Sequence, residues 1–194
     1  MNIKHIMSGT ILALVLTAGL SQAEPGRTIT VNLHIAGAFS NNSLIDVNDD
    51  GHPATSFVGV GTTHLFNPFL SDHFLLQEEA ETVNHHTSCR LPDGSSGEEH
   101  DLVQAHGILT RERDGSQLFL EATSEILCLN IPAHEAAVDL QGTFAGGTGV
   151  FAGAHGTWEE KGSGQGAVLV IDPHRHFFGH SDFDLTGTLK LPPR

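Results

Sequence analysis

From Arg27 onward, apolar and polar residues alternate in short segments broken by Gly, Pro, Asn and Asp, with almost no apolar recurrence at helical spacing. That pattern predicts an all-β chain. Strands are expected at Thr28 to Ile35, Ser56 to Thr63, Phe74 to His86, Ala137 to Phe144 and Ala154 to Lys161. A continuous apolar run, Ala167 to Ile171, reads as a strand shielded on both sides and ended by a turn at Asp172-Pro173. The C-terminal segment places Phe183, Leu185, Leu189 and Leu191 on one face and Asp182, Asp184, Thr186, Thr188 and Lys190 on the other. Gly187 in its middle fits a bend or a close approach.

A hairpin is the best-defined local element. Asp114-Gly115 is a dipeptide suited to the positive φ angles of a two-residue type I′ turn. Pairing Arg113 with Ser116 then sets Leu109 opposite Leu120, Ala105 opposite Ser124 and Val103 opposite Ile126 on a mainly apolar face. Gln104 with Glu125, His106 with Thr123 and Ile108 with Glu121 fall on the other, mainly polar face. With this hairpin the chain holds about eight or nine strands, the number that closes a small antiparallel β-barrel whose interior takes side chains or one small ligand. Closure would leave no exposed strand edge. Neither an internal repeat nor a linker divides the chain.

The first 23 residues fall outside this pattern. Lys4 precedes an apolar run from Ile11 to Leu20, and Ser21-Gln22-Ala23 follows as a small-x-small cleavage pattern, so residues 1–23 read as a signal peptide and 24–194 as a single barrel domain of 171 residues. The apolar run is too short to span a bilayer, and no longer one follows it. The expected location is therefore secreted or periplasmic. Lys4 is the only charged residue of this leader, so the remainder carries a formal charge of −15 with histidines neutral. Scattered Lys and Arg among that many carboxylates exclude phosphate-backbone binding, and no nucleic-acid partner is expected. Cys89 and Cys128 both lie in strand-like segments of an exported chain, and a disulfide between them is expected. A catalytic thiol assisted by the nearby His85 or His86 is the alternative.

The most distinctive stretch runs from Gly142 to Gly156 and includes Gly146-Gly147-Thr148-Gly149-Val150-Phe151-Ala152-Gly153-Ala154-His155-Gly156. It is not a dinucleotide loop, because Thr157 to Gly162 offers no helix whose N-terminus could receive a pyrophosphate. At these residues the chain resembles the dirigent and allene oxide cyclase-like barrel superfamily, which carries a Gly-Gly-Thr-Gly-x-Phe-x-Gly-Ala-x-Gly signature. The resemblance implies an eight-stranded antiparallel barrel in which Gly146, Gly147, Gly149, Gly153 and Gly156 turn a corner while Phe144 and Phe151 anchor it in the core. It also implies either the steering of phenolic radical coupling or ring closure in an apolar cavity. The acidic and arginine residues that such proteins use have no assigned counterparts in this sequence.

Two other groups of residues invite a metal. Asp46-Val47-Asn48-Asp49-Asp50-Gly51 places Asp46, Asn48 and Asp50 at positions one, three and five of a calcium loop with glycine at the sixth, but Phe57 stands where a bidentate carboxylate is needed. A polar hairpin loop explains the same residues. His174 and His176 would share one face of an extended strand and could hold zinc or copper, although exposed or hydrogen-bonded histidines fit equally well. His134-Glu135 has Val138 where a zinc protease needs its second histidine, no Gly-x-Ser-x-Gly elbow occurs, and the chain has no tyrosine.

These features point to an exported barrel that binds a small apolar ligand or serves as an extracellular module, with no cofactor. Phe provides 11 of the 12 aromatic residues, which suits an apolar lumen. A dirigent-like or cyclase-like isomerase is the enzymatic alternative, and its mark would be an acid or histidine with a shifted pKa in an apolar cavity. A purely structural surface protein with a filled interior is a third reading.

Overall fold

The structure, a computed structural model, describes residues 26–41, 46–47, 49–51, 55–67, 70–171 and 174–193. Eight strands follow one another: β1 Arg27–Asn41, β2 Thr55–Asn67, β3 Leu70–Arg90, β4 Ser96–Arg111, β5 Gln117–Asn130, β6 Glu135–Gly147, β7 His155–Ile171 and β8 His174–Leu191. Each pairs antiparallel with the next, and β8 returns to β1, so the sheet closes on itself as a barrel in chain order. The closing pair runs from Arg27↔Leu191 to Ser40↔Phe178.

Period-two alternation decides which side chains enter. On β1, Ile29, Val31, Leu33 and Ile35 are buried while Thr28, Thr30, Asn32 and His34 alternate with them on the outside. On β8, Phe183, Leu185 and Leu189 point inward and Asp182, Asp184, Thr186, Thr188 and Lys190 outward, as the sequence pattern predicts. The main core fills the end of the barrel where the β6–β7 connection crosses. A smaller group, Leu127, Leu129, Ala136 and Phe177, lies toward the other end, where Phe39 meets Phe177 at 5.4 Å between ring centroids.

Apart from Ala154, which precedes it, the segment Ala154–Lys161 and the run Ala167–Ile171 belong to one strand, β7, rather than two. Gly162, Gly164 and Gly166 between them look like breaks in sequence. They lie instead where neighbouring backbone or aromatic side chains come close, Gly164 against the ring of Phe39. Ala167 at the start of the apolar run is exposed, so that part of the strand is not shielded on both sides.

The β4–β5 hairpin differs from the two-residue turn. Arg111 donates its N–H to the Ser116 carbonyl and Gly115 donates to the Arg111 carbonyl, leaving Glu112 to Gly115 as a four-residue connection in which Gly115 alone has positive φ. Leu109 therefore faces Leu118, and Gly107 faces Leu120. Both ends of the turn are held from inside. Buried Arg111 sits 3.0 Å from Asp72 through Nε, without the alignment of a hydrogen bond, and Ser116 Oγ accepts from the Val150 N–H. The slip is two residues, which leaves Leu109, Ala105 and Leu120 on the inner face.

Val103 and Ile126, expected on that face, are 41% and 50% exposed. Register shifts on β4 opposite Glu81/Thr82 and on β5 between Ala122 and Ser124 account for this. Each bulge inserts one residue and reverses the inside–outside phase beyond it, so Leu127 and Leu129 enter the interior in place of Ile126.

The glycine signature forms the closed end of the barrel. A single 3₁₀ turn, Gly149–Phe151, drives Phe151 into the core, where it is 1% exposed and 6.0 Å from the ring of Phe74. Gly146, Gly149, Gly153 and Gly156 have φ of 104°, 57°, 72° and 153°, whereas Gly147 has no positive φ and is placed instead by its closeness to the Gln117 carbonyl and Phe151. Gly149 combines left-handed backbone with contact: a Cβ there would strike Ser116, the residue that receives the Val150 N–H. Gly149→Val is expected to lower unfolding free energy by about 1–3 kcal/mol from backbone strain alone. Urea denaturation beside wild type measures it, and an unchanged midpoint would remove the structural role assigned to this glycine.

Candidate functional site

Between the two apolar groups lies a cavity of about 90 Å³. Its walls come mostly from Leu, Ala, Val and Phe side chains of several strands, with Trp158 on β7 and Phe183 on β8. Two carboxylic acids enter it. Glu78 is in phase with the buried Phe74 and Leu76 on β3, and Glu160 is in phase with Trp158 on β7. β3 and β7 are four strands apart in a ring of eight, so these acids project from opposite walls. Glu79 and His106 are the other titratable residues at the cavity boundary, and no Lys or Arg lines it among the described residues.

The wall is shaped around Glu78. Its neighbours across the sheet are Gly59 on β2 and Gly107 on β4. A Cβ at position 59 would run into the Glu78 side chain, so the absence of one gives the carboxylate its place. Burial away from water penalises the ionised form and pushes the Glu78 carboxyl up to about 7. Glu160 is 4% exposed. Trp158 is held flat to the wall by its indole N–H, which donates to the Thr143 carbonyl at 3.0 Å.

A second buried polar group lies toward the end away from the glycine turn. His100 on β4, opposite Leu127, is 5% exposed and has no hydrogen-bond partner at either ring nitrogen. Burial lowers its pKa below the ordinary histidine value, with Glu98 opposing and His86 adding to the shift. Nearby, Asn84 to Ser88 bulges out of β3 with His86 at φ 57°, its N–H bonded to Asn84 Oδ1.

Cys89 and Cys128 form a disulfide with Cα atoms 5.8 Å apart, which leaves no free thiol and removes the catalytic-thiol alternative. The bridge links β3 to β5, on either side of β4, beside Gly97, where a Cβ would lie 2.9 Å from Cys128 Sγ. Asp46 spends its carboxylate on the N–H groups of Asp50 and Gly51 at 3.1 and 2.6 Å, and Val47 donates to Oε2 of the buried Glu81 at 3.0 Å, which ties this loop to β3. Asn48 lies outside the described residues. His174 and His176 stand on β8 opposite Ile171 and Leu169, with their side chains outside the described part. Among the described residues, no group of three or more His, Cys, Asp or Glu could hold a metal ion.

Neither Glu78 nor Glu160 belongs to a sequence motif. The signal that finds them is phase: each continues the alternation of an apolar inner face, Phe74-x-Leu76-x-Glu78 and Trp158-x-Glu160.

The chain folds as an eight-stranded antiparallel barrel. No protein-family model matches it, and no curated protein does either. A solved structure of a pterocarpan synthase dirigent protein is similar over 85% of this chain and 92% of that one, with a TM-score of 0.44 and 12% identity. At that level of likeness it carries no part of the functional reading. Among the described residues, no helix is long and apolar enough to cross a membrane.

Proposed function

We propose that this chain is an exported barrel whose lumen binds a small, largely apolar molecule, with Glu78 and Glu160 as its polar contacts. The observation that carries this reading is the apolar cavity entered by two carboxylic acids from opposite walls. Binding sites combine apolar walls with a few convergent polar groups in this way, whereas a purely structural barrel has no use for acids facing its interior. The signal-like leader and the disulfide support export. The acidic surface and scattered basic residues give nucleic acid no footing.

At about 90 Å³ the cavity takes a molecule of only a few heavy atoms, smaller than the roughly 150 Å³ space that accepts benzene. Trp158, the only tryptophan of the chain, lines it and reports on occupancy directly. Titration with 1-butanol should shift its emission saturably, and Ala136→Phe, which fills part of the cavity without adding a second indole, should abolish that shift. A non-saturable response, or one unaffected by filling, would refute a binding lumen.

A second reading has its own observation. A carboxyl group whose pKa is raised to about 7 can both give and take a proton near neutral pH, which suits an isomerisation or cyclisation that moves a proton on a substrate held in the lumen. The dirigent and cyclase-like signature at Gly146 to Gly156 is structural and brings no catalytic group, so this reading stands on Glu78 alone. Under this reading Glu78→Gln keeps binding but loses turnover.

A further inference from the structure

The two carboxylic acids also restrict the charge of the occupant. We infer that the lumen selects a small organic cation, an alkylammonium in chemical class, over neutral and anionic molecules of the same shape; this rests on the lumen being a binding chamber.

The inference starts from what surrounds Glu78. From β2 and β4 its neighbours are Gly59 and Gly107, which bring no charge. From β7, across the cavity, comes Glu160. Glu79 on β3 and His106 on β4 stand at the boundary, and the His106 ring lies 2.7 Å from Gln104 Nε2. Among the described residues, the stretches of β1, β5, β6 and β8 that line the cavity contribute no titratable side chain. The chamber thus holds carboxylic acids on two sides and no Lys or Arg among the described residues. The buried Arg111 is not among the lining residues and is engaged beside Asp72.

An anion entering this space meets like charge in a medium that screens it poorly. A neutral molecule gains burial of its apolar part and leaves the acids as they were. An ammonium group gains more: it donates charge-assisted hydrogen bonds to a carboxylate, and it faces the aromatic walls of Trp158 and Phe183, whose ring faces attract cations. Its alkyl tail occupies the aliphatic part of the same cavity. The formal charge of −15 on the chain without its leader draws cations toward the barrel from outside. With each heavy atom claiming on the order of 30 Å³, the space encloses about three of them, so a four-carbon probe extends from it into the open part of the same pocket.

Protonation sharpens the expectation. An alkylammonium keeps its charge throughout the neutral range, so its binding improves as Glu78 ionises, and butanol has no such dependence.

The test uses the full-length mature chain and three probes of one shape, n-butylammonium, 1-butanol and butyrate, each titrated against Trp158 emission at pH 6 and pH 8. Butylammonium should bind at least tenfold more tightly than butanol at pH 8, butyrate should be weakest, and the butylammonium affinity should fall several-fold at pH 6. Glu78→Gln and Glu160→Gln should each erase most of the preference while butanol binding persists, which also shows that the variants fold. Equal affinity for butylammonium and butanol at pH 8, or a preference that survives both substitutions, would overturn the cation inference while leaving a binding lumen. Failure of all three probes would instead overturn the lumen reading, and this inference with it.

Discussion

Stability will fall as pH rises from 5 to 8, and Glu78→Gln will remove most of that fall. Unfolded Glu78 releases its proton near 4.5, whereas in the barrel burial raises the release to about 7. Between these values the folded state holds more protons than the unfolded chain, so each increase in pH favours unfolding. The contribution is complete below pH 4.5 and lost as pH passes through 7. A shift of this size corresponds to at most about 3 kcal/mol, at 1.36 kcal/mol for each pH unit. Glutamine keeps the shape and removes the ionisation. At pH 8 the variant should exceed wild type by about 2–3 kcal/mol, or on the order of 4–12 °C in Tm for a domain of this size, and at pH 5 the two should nearly coincide. Two histidines have shifted pKa values and act oppositely. His34, exposed and raised by its hydrogen bond with Asp184 and by Asp182, loses its contribution as pH rises; His100, lowered by burial, opposes folding as pH falls. Both remain in the variant, so comparing the two proteins at each pH isolates Glu78. Parallel pH profiles, measured by urea denaturation, would contradict the desolvated acid.

Opening the disulfide should cost about as much. Cys89 and Cys128 are 39 residues apart in sequence. Closing a loop of that length removes unfolded-state entropy worth about 4 kcal/mol at 25 °C in the chain-entropy model. The pair Cys89→Ala with Cys128→Ala should therefore lose about 3–4 kcal/mol, and reduced wild type should match it. Denaturation with and without reductant distinguishes the outcomes: a loss below about 1 kcal/mol in both would mean that β3 and β5 are already restrained in the unfolded chain or held equally well by β4 alone. The bridge stands near the bulge at His86 and the buried His100, so its loss should be felt first at that end of the barrel.

The barrel is legible in the sequence because alternation is a local property. Ile29 to Ile35 and Phe183 to Leu189 each state their own inner face, and the two meet in the closing pair. The resemblance carried by Gly146 to Gly156 implies the same eight-stranded architecture, and Phe144 and Phe151 are buried where it would anchor them. What local reading misses depends on partners far away in the chain. The length of the β4–β5 turn is set by Asp72 and by the Ser116–Val150 contact, neither visible from Asp114-Gly115. The phase reversal at Val103 and Thr123 comes from bulges, which leave no mark in composition. Glycines 162, 164 and 166 resemble turn residues until the neighbouring strand fills the space beside them. Glu78 and Glu160 carry an inward phase, yet an acid in an apolar series reads more readily as an interruption of the face than as part of it. Only closure of the ring sets them opposite one another.

The seam between β1 and β8 imposes an order on assembly. Every other neighbouring pair is joined by a connection within the chain and can zip from its turn, but Arg27 has to find Leu191 across nearly the whole polypeptide. β1 leaves the ribosome long before β8, and the edge that β8 will cover must wait for it, although β2 can pair with the other edge. The alternation of Ile, Val and Leu on β1 is then an exposed sticky ribbon, and the high contact order of that final pairing places this protein among slow folders, in the millisecond-to-second range or beyond. The barrel that has no free edge once complete has two until its last hydrogen-bonded pair is made.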